Sequence, residues 1–193
     1  MVNPFIWPIE GDLSRADVVA LALLCRDKKV IEFGIGGSTI LLSQVAKKVI
    51  TYEHDQIWID KIKPKLNDKV EVRLIEKDTS SIKNIGEECD VLFNDGHSLL
   101  RSPALIEFWP YIKDCAILHD SRMTYAGNCV KKFIDSFVPN YEPSKGNPNK
   151  LPDNPFTGSL RSIEWNYLES NTVVMFKRNC TLKYENWKIT ERG

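Results

Sequence analysis

The 193-residue sequence has no surplus of charge of either sign, no cysteines at metal or redox spacing, and no long apolar run. Each absence excludes something. Lysine plus arginine number 26 and aspartate plus glutamate number 26, so no global electrostatic footprint draws the chain to nucleic acid or to an anionic membrane. The five cysteines (25, 89, 115, 129 and 180) are odd in number, widely spaced and without a C-x-x-C pair. They read as reduced cysteines of a cytoplasmic protein, several of them core residues, not as a disulfide frame or a zinc site. No stretch approaches the roughly 20 apolar residues that a membrane helix needs. A signal peptide is not expected either, because Pro4 and Pro8 interrupt a start that has no basic stretch and no apolar core. Internal repeats and low-complexity segments are also missing. With 42% apolar and 27% charged residues, the composition is that of an ordinary globular protein, and residues 1–193 are expected to form one domain.

The chain does contain an apolar strand that runs into a glycine turn: Val30-Ile31-Glu32-Phe33-Gly34-Ile35-Gly36-Gly37-Ser38-Thr39. A helix is expected to follow. Such a turn offers a ligand the backbone N–H groups of a helix N-terminus, and glycine lets the ligand approach closely. The dinucleotide fingerprint G-x-G-x-x-G is broken, because Thr39 stands where the third glycine would be. Glu32 would also sit badly beside a diphosphate, whereas an acid suits a cationic ligand.

Periodicity organises the rest. Residues 1–11 form an irregular segment, read as packed back on the domain or as a lid. A helix is expected from Asp12 or Ser14 to about Cys25, and strand one at Lys29–Phe33. Thr39–Ala46 reads as a helix, Val49–Tyr52 as a strand, Gln56–Leu66 as a helix ended or kinked by Pro64, and Val70–Ile75 as a strand. Ser80–Cys89 is a short helix or loop. Asp90–Asn94 is strand four, Arg101–Tyr111 a helix with Pro103 in its first turn, and Cys115–His119 strand five. Tyr125–Phe137 is amphipathic. The polar stretch Pro139–Thr157 is an inserted loop, and Ser159–Tyr167 with Thr172–Lys177 form a hairpin. The pattern is α/β and doubly wound.

Acids fall at successive strand ends: Glu53, Asp78, Asp95 and Asp120, besides Glu32 in the turn. In doubly wound sheets ligands bind beyond these ends. Glu53 lies about twenty residues past the glycine turn, where such folds place an acid on ribose hydroxyls. A carboxylate can accept from both hydroxyls of a vicinal diol.

Glu32-x-Gly34-x-Gly36, with these acids, resembles the class I S-adenosylmethionine (SAM) methyltransferases over about residues 12–178. The resemblance implies a Rossmann-like seven-stranded sheet with its last strand antiparallel. It implies SAM held by Glu32, Gly34, Gly36, Gly37, Ser38 and Thr39, by Glu53 at the ribose, and by His54, Asp78, Thr79 and Asp95, with Asp78 toward the adenine amino group. Within that family, Asn94-Asp95-Gly96-His97-Ser98 and His119-Asp120-Ser121 are most similar to small-molecule O-methyltransferases, some of which hold Mg²⁺ with carboxylates after strands four and five. Asp95 and Asp120 match those ligands, while Ser121 replaces an asparagine ligand. Without a metal, His97 or His119 could assist loss of the hydroxyl proton beside Asp95. Against that stand a helix-capping role for His97 and a hydrogen-bonding role in the core for His119. The expected substrate is a small hydroxylated molecule, with no nucleic acid or membrane partner and a homodimer left open. Trp7, Trp109, Tyr125, Phe156 and Trp165 are wall candidates, although such residues more often serve the core. Two alternatives stand beside methyl transfer: a SAM-consuming enzyme that does not methylate (a lyase or an aminopropyl-transferring enzyme), and a non-catalytic SAM-binding module.

Overall fold

The computed structural model describes residue 13 and residues 15–119, together with the backbone of 161–164 and 173–176. The expected lid at 1–11, Asp120, Ser121, the amphipathic helix at Tyr125–Phe137, the loop at Pro139–Thr157 and the tip of the hairpin lie outside these residues. So do Trp7, Tyr125, Phe156 and Trp165.

The described chain alternates helix and strand. α1 is Arg15–Leu24, β1 Lys29–Phe33, α2 Gly37–Val45, β2 Lys48–Glu53 and α3 Gln56–Ile62. β3 is Val70–Leu74, β4 Cys89–Asn94, α4 Ser98–Phe108 and β5 Ile112–Leu118. The five strands run parallel in the order β3-β2-β1-β4-β5. Two short backbone segments, β6 (Arg161–Glu164) and β7 (Val173–Phe176), extend the sheet past β5, with β7 antiparallel to both β5 and β6.

Strand alternation explains the two layers. Side chains at alternate positions point to opposite faces. Val30, Val49, Val91 and Phe93 face α1 and α2, where Val18, Leu21, Leu41 and Leu42 meet them. Ile31, Phe33, Ile50, Tyr52 and Leu92 face α4, where Leu100, Ala104 and Phe108 cover them. Phe33, Tyr52 and Phe108 form an aromatic cluster, with the first two stacked at 5.0 Å. Glu32 lies between Ile31 and Phe33, so the same alternation turns it toward α2.

α4 departs from its expected bounds. It begins at Ser98 and not at Arg101, because the His97 ring accepts from the Leu99 N–H and caps the helix three residues early. Pro103 therefore sits inside the helix. Having no N–H, it leaves the Leu99 carbonyl without its helical donor. Leu99 is 60% exposed, so water can satisfy that carbonyl. The Gln56–Leu66 helix is likewise shorter: α3 stops at Ile62, and a 3₁₀ turn carrying Pro64 follows.

Candidate functional site

The strand order reverses between β1 and β4, and their two exits press together. Gly34 has φ +95°, and a Cβ there would lie 2.8 Å from the Asp95 carbonyl oxygen. Both the backbone angle and the space require glycine. Gly36 is different. Its φ of −174° is ordinary extended backbone, and a Cβ there would meet nothing within 4 Å. The protein does not need glycine at 36; the open space beyond it belongs to a cavity.

That cavity has a volume of about 320 Å³ and opens at the carboxyl ends of β1, β2, β4 and β5. Gly34, Ile35, Gly36, Gly37 and Ser38 form its floor. Glu53, His54 and Trp58 form one wall. Asp95, Gly96, His97 and His119 form the other, with Leu13 at the rim. The size is at the small end of the range for cofactor and ligand sites.

Glu32 does not line this cavity. It is fully buried beneath the turn, where Ser38 Oγ and Thr39 Oγ1 donate to its two carboxylate oxygens at 2.7 Å each. Thr39 Oγ1 also accepts from the Gly36 N–H at 2.9 Å. Glu32 and Thr39 thus shape the turn from behind. Burial pushes the Glu32 carboxyl up to about 7, against the opposing pull of the Ser38 and Thr39 hydroxyls.

Glu53 lines the cavity with most of its hydrogen-bonding capacity used. Oε1 accepts from the His54 and Asp55 N–H groups at 2.7 and 2.9 Å, and His54 Nδ1 lies 2.7 Å away. Among the described residues, Oε2 accepts only from the Ile35 N–H, at 2.9 Å. A carboxylate oxygen has two lone pairs, so Oε2 keeps one for a hydroxyl in the cavity. This acid joins the β2 exit to the glycine turn and still presents an acceptor.

Asp78 and Thr79 are exposed and do not line the cavity. Asp78 accepts from the Ser80 N–H and hydroxyl, which hold its carboxyl below the ordinary range. It caps a 3₁₀ turn.

The wall past β4 and β5 is held by a residue that the sequence reading missed. Arg101, almost fully buried, donates from Nε to the Gly96 carbonyl at 2.7 Å and from Nη1 to the His119 carbonyl at 2.6 Å. Its Nη2 donates to Asp95 Oδ1 at 3.0 Å. His119 Nδ1 lies 3.1 Å from the same Oδ1, and its Nε2 faces the buried Asp17 carboxylate at 3.8 Å. Asp95 Oδ2 has no protein hydrogen bond among the described residues, and Asp95 lines the cavity. Arg101 was legible only as one more cation on a predicted helix. Its place three residues beyond the true helix start turns it inward.

His97 Nδ1 accepts from the Leu99 N–H at 3.3 Å, and its ring meets His54 edge-on at 5.2 Å. Burial, and then the Lys77 ammonium, hold His97 below its usual range, so its neutral form prevails at pH 7.

Among the described residues, no group of three or more His, Cys, Asp or Glu is placed to share a metal ion. Asp95 Oδ1 is already paired with a guanidinium, and Asp120 lies outside the described residues. The described side chains therefore do not supply the oxygen ligand set that Mg²⁺ requires.

No family model matches the chain, and no curated protein matches its sequence. Solved structures do match. An O-methyltransferase from Bacillus cereus in complex with SAH is 18% identical, with 86% of this chain and 83% of that one covered and a TM-score of 0.60. A TehB-like SAM-dependent methyltransferase from Corynebacterium glutamicum is 17% identical over 84% of this chain and 85% of that one, at 0.52. A precorrin 8W decarboxylase from Methanobacterium thermoautotrophicum is 14% identical over 90% and 95%, at 0.55. The chain has the α/β, Rossmann-like fold of the SAM-dependent methyltransferases.

Proposed function

We propose that the chain is a SAM-dependent methyltransferase that transfers a methyl group to a hydroxyl of a small molecule, within one domain whose seven-stranded sheet has its last strand in sequence antiparallel. The observation that carries this reading is the cavity at the β1–β4 switch point. Its floor leaves open space over Gly36, and its wall presents a remaining acceptor on Glu53 Oε2. Both features suit a ribose-bearing ligand laid across the glycine turn. Asp95 and the O-methyltransferase neighbour favour a hydroxyl acceptor.

When bound, SAM supplies a methyl group on a sulfonium, which is displaced in line by the nucleophile. The protein's part is alignment and proton handling. Gly36 and Gly37 give the ligand access to backbone, and Glu53 Oε2 orients it. Asp95 Oδ2 receives the hydrogen of the substrate hydroxyl. Arg101 and His119 hold Oδ1 so that Oδ2 stays directed at the cavity.

Calorimetric titration with SAM and S-adenosylhomocysteine (SAH), with and without Mg²⁺, tests the reading. Micromolar binding that is lost in Glu53→Ala is the expected result, and Mg²⁺ should not change SAH affinity. A screen of hydroxylated small molecules for SAH release then separates methyl transfer from the alternatives. No binding of either nucleoside would overturn the proposal.

A further inference from the structure

Three side chains lining the cavity have no role in the proposed chemistry: His54 and Trp58 beside Glu53, and His97 on the facing wall. Resting on the SAM reading above, we propose that His54 and His97 read the Watson–Crick edge of the cofactor's adenine as an acceptor–donor pair, with Trp58 as the flat surface beside them.

The two rings are held in opposite tautomers by their own neighbours. His54 Nδ1 lies 2.7 Å from Glu53 Oε1, whose negative charge repels a bare lone pair at that distance, so electrostatics favours the proton on Nδ1 and the lone pair on Nε2. His97 Nδ1 accepts from the Leu99 N–H, so its proton sits on Nε2. Neither Nε2 has a hydrogen-bond partner among the described residues, and both rings line the cavity. The pair therefore offers one acceptor and one donor from rings 5.2 Å apart. Adenine's edge carries the complement, an amino donor next to the N1 acceptor.

Location agrees with this assignment. Glu53 precedes His54 in the chain, so a ribose held by Glu53 leaves its base next to these rings. Trp58, on α3, is 41% exposed although it lines the cavity, which leaves much of its indole open to stacking. Asp78, the acid expected at the amino group, is not at the cavity.

Inosine reverses the pattern, since its carbonyl replaces the amino donor and its N1 becomes a donor. Calorimetry with SAH and S-inosylhomocysteine on the wild-type protein is the direct test. Wild type should bind SAH at least about tenfold more tightly, because a mispaired buried edge leaves groups unsatisfied. His54→Phe, which keeps a ring, and His97→Asn, which keeps an acceptor for the Leu99 N–H, should each reduce that preference. Trp58→Ala should weaken both ligands by roughly 5- to 150-fold, the range for one base–aromatic stack, whereas Trp58→Phe should weaken them less. Equal wild-type affinity for the two ligands would overturn the proposal, as would an unchanged preference in both histidine variants. If the wild type binds neither ligand, the SAM reading falls and this assignment falls with it.

Discussion

At the scale of single residues, the two glycines of the turn make separable predictions. Gly34→Ala places a Cβ 2.8 Å from the Asp95 backbone at φ +95°, so the β1 and β4 exits must part. We expect a loss of about 2 kcal/mol or more, since backbone strain and overpacking act together. Gly36→Ala meets no protein atom and should change stability by less than about 1 kcal/mol, while SAH affinity falls. Thermal melts and calorimetry on the two variants measure both quantities. Glu32 makes a pH prediction. Its carboxyl rises from an ordinary 4.5 to about 7, so between those values the folded chain keeps a proton that the unfolded chain has released. Stability from this group is present below about pH 4.5 and is lost as pH rises through 7, up to roughly 3 kcal/mol. In Glu32→Gln this dependence should vanish, so the variant's Tm relative to wild type climbs between pH 5 and pH 8. Parallel Tm curves would contradict the assignment. Glu32 was legible as an acid in a glycine turn, but its place behind the turn was not. That place depends on Ser38 and Thr39 folding back over the strand.

At the scale of elements, α4 holds the loops after β4 and β5 through Arg101. Replacing Arg101 with Met leaves the Gly96 and His119 carbonyls without these donors and Asp95 without its guanidinium. Each buried polar group left unpaired costs about 1–3 kcal/mol, and the partial exposure of Asp95 lowers its share. A total of about 3 kcal/mol lowers Tm by roughly 6–12 °C in a chain of this size. Arg101→Lys should recover only part of this loss, since one ammonium cannot reproduce the planar fork that reaches three acceptors. Differential scanning calorimetry on both variants checks the order wild type, Lys, Met. Strand positions were more legible than helix starts. β1 matches its expected range, and β2 to β5 differ from theirs by one to three residues at an end, because alternation over a buried sheet is a strong local signal. The α4 start was read late because His97 capping depends on how the chain leaves β4.

At the scale of the whole molecule, site and fold are one consequence of strand order. Parallel strands with helices on both faces bring the β1, β2, β4 and β5 exits to one edge, and the reversal between β1 and β4 opens the crevice there. Residues 13, 34–38, 53, 54, 58, 95–97 and 119, far apart in sequence, meet around one cavity as a result. Among the described residues, no helix is long and apolar enough to cross a membrane.

The sequence by itself determined the alternation of helix and strand, the parallel core and the edge at which the acids gather. These follow from side-chain periodicity and from turn chemistry, which act over a few residues. Tertiary structure alone decided which acids face the cavity. Glu53 and Asp95 do, whereas Glu32 is enclosed by hydroxyls and Asp78 caps a turn in solvent. It also brought Arg101, Trp58 and Asp17 to the site or behind it. The physical reason is that a polar side chain's role depends on which partners satisfy it, and those partners come from other elements whose positions only the packed sheet sets.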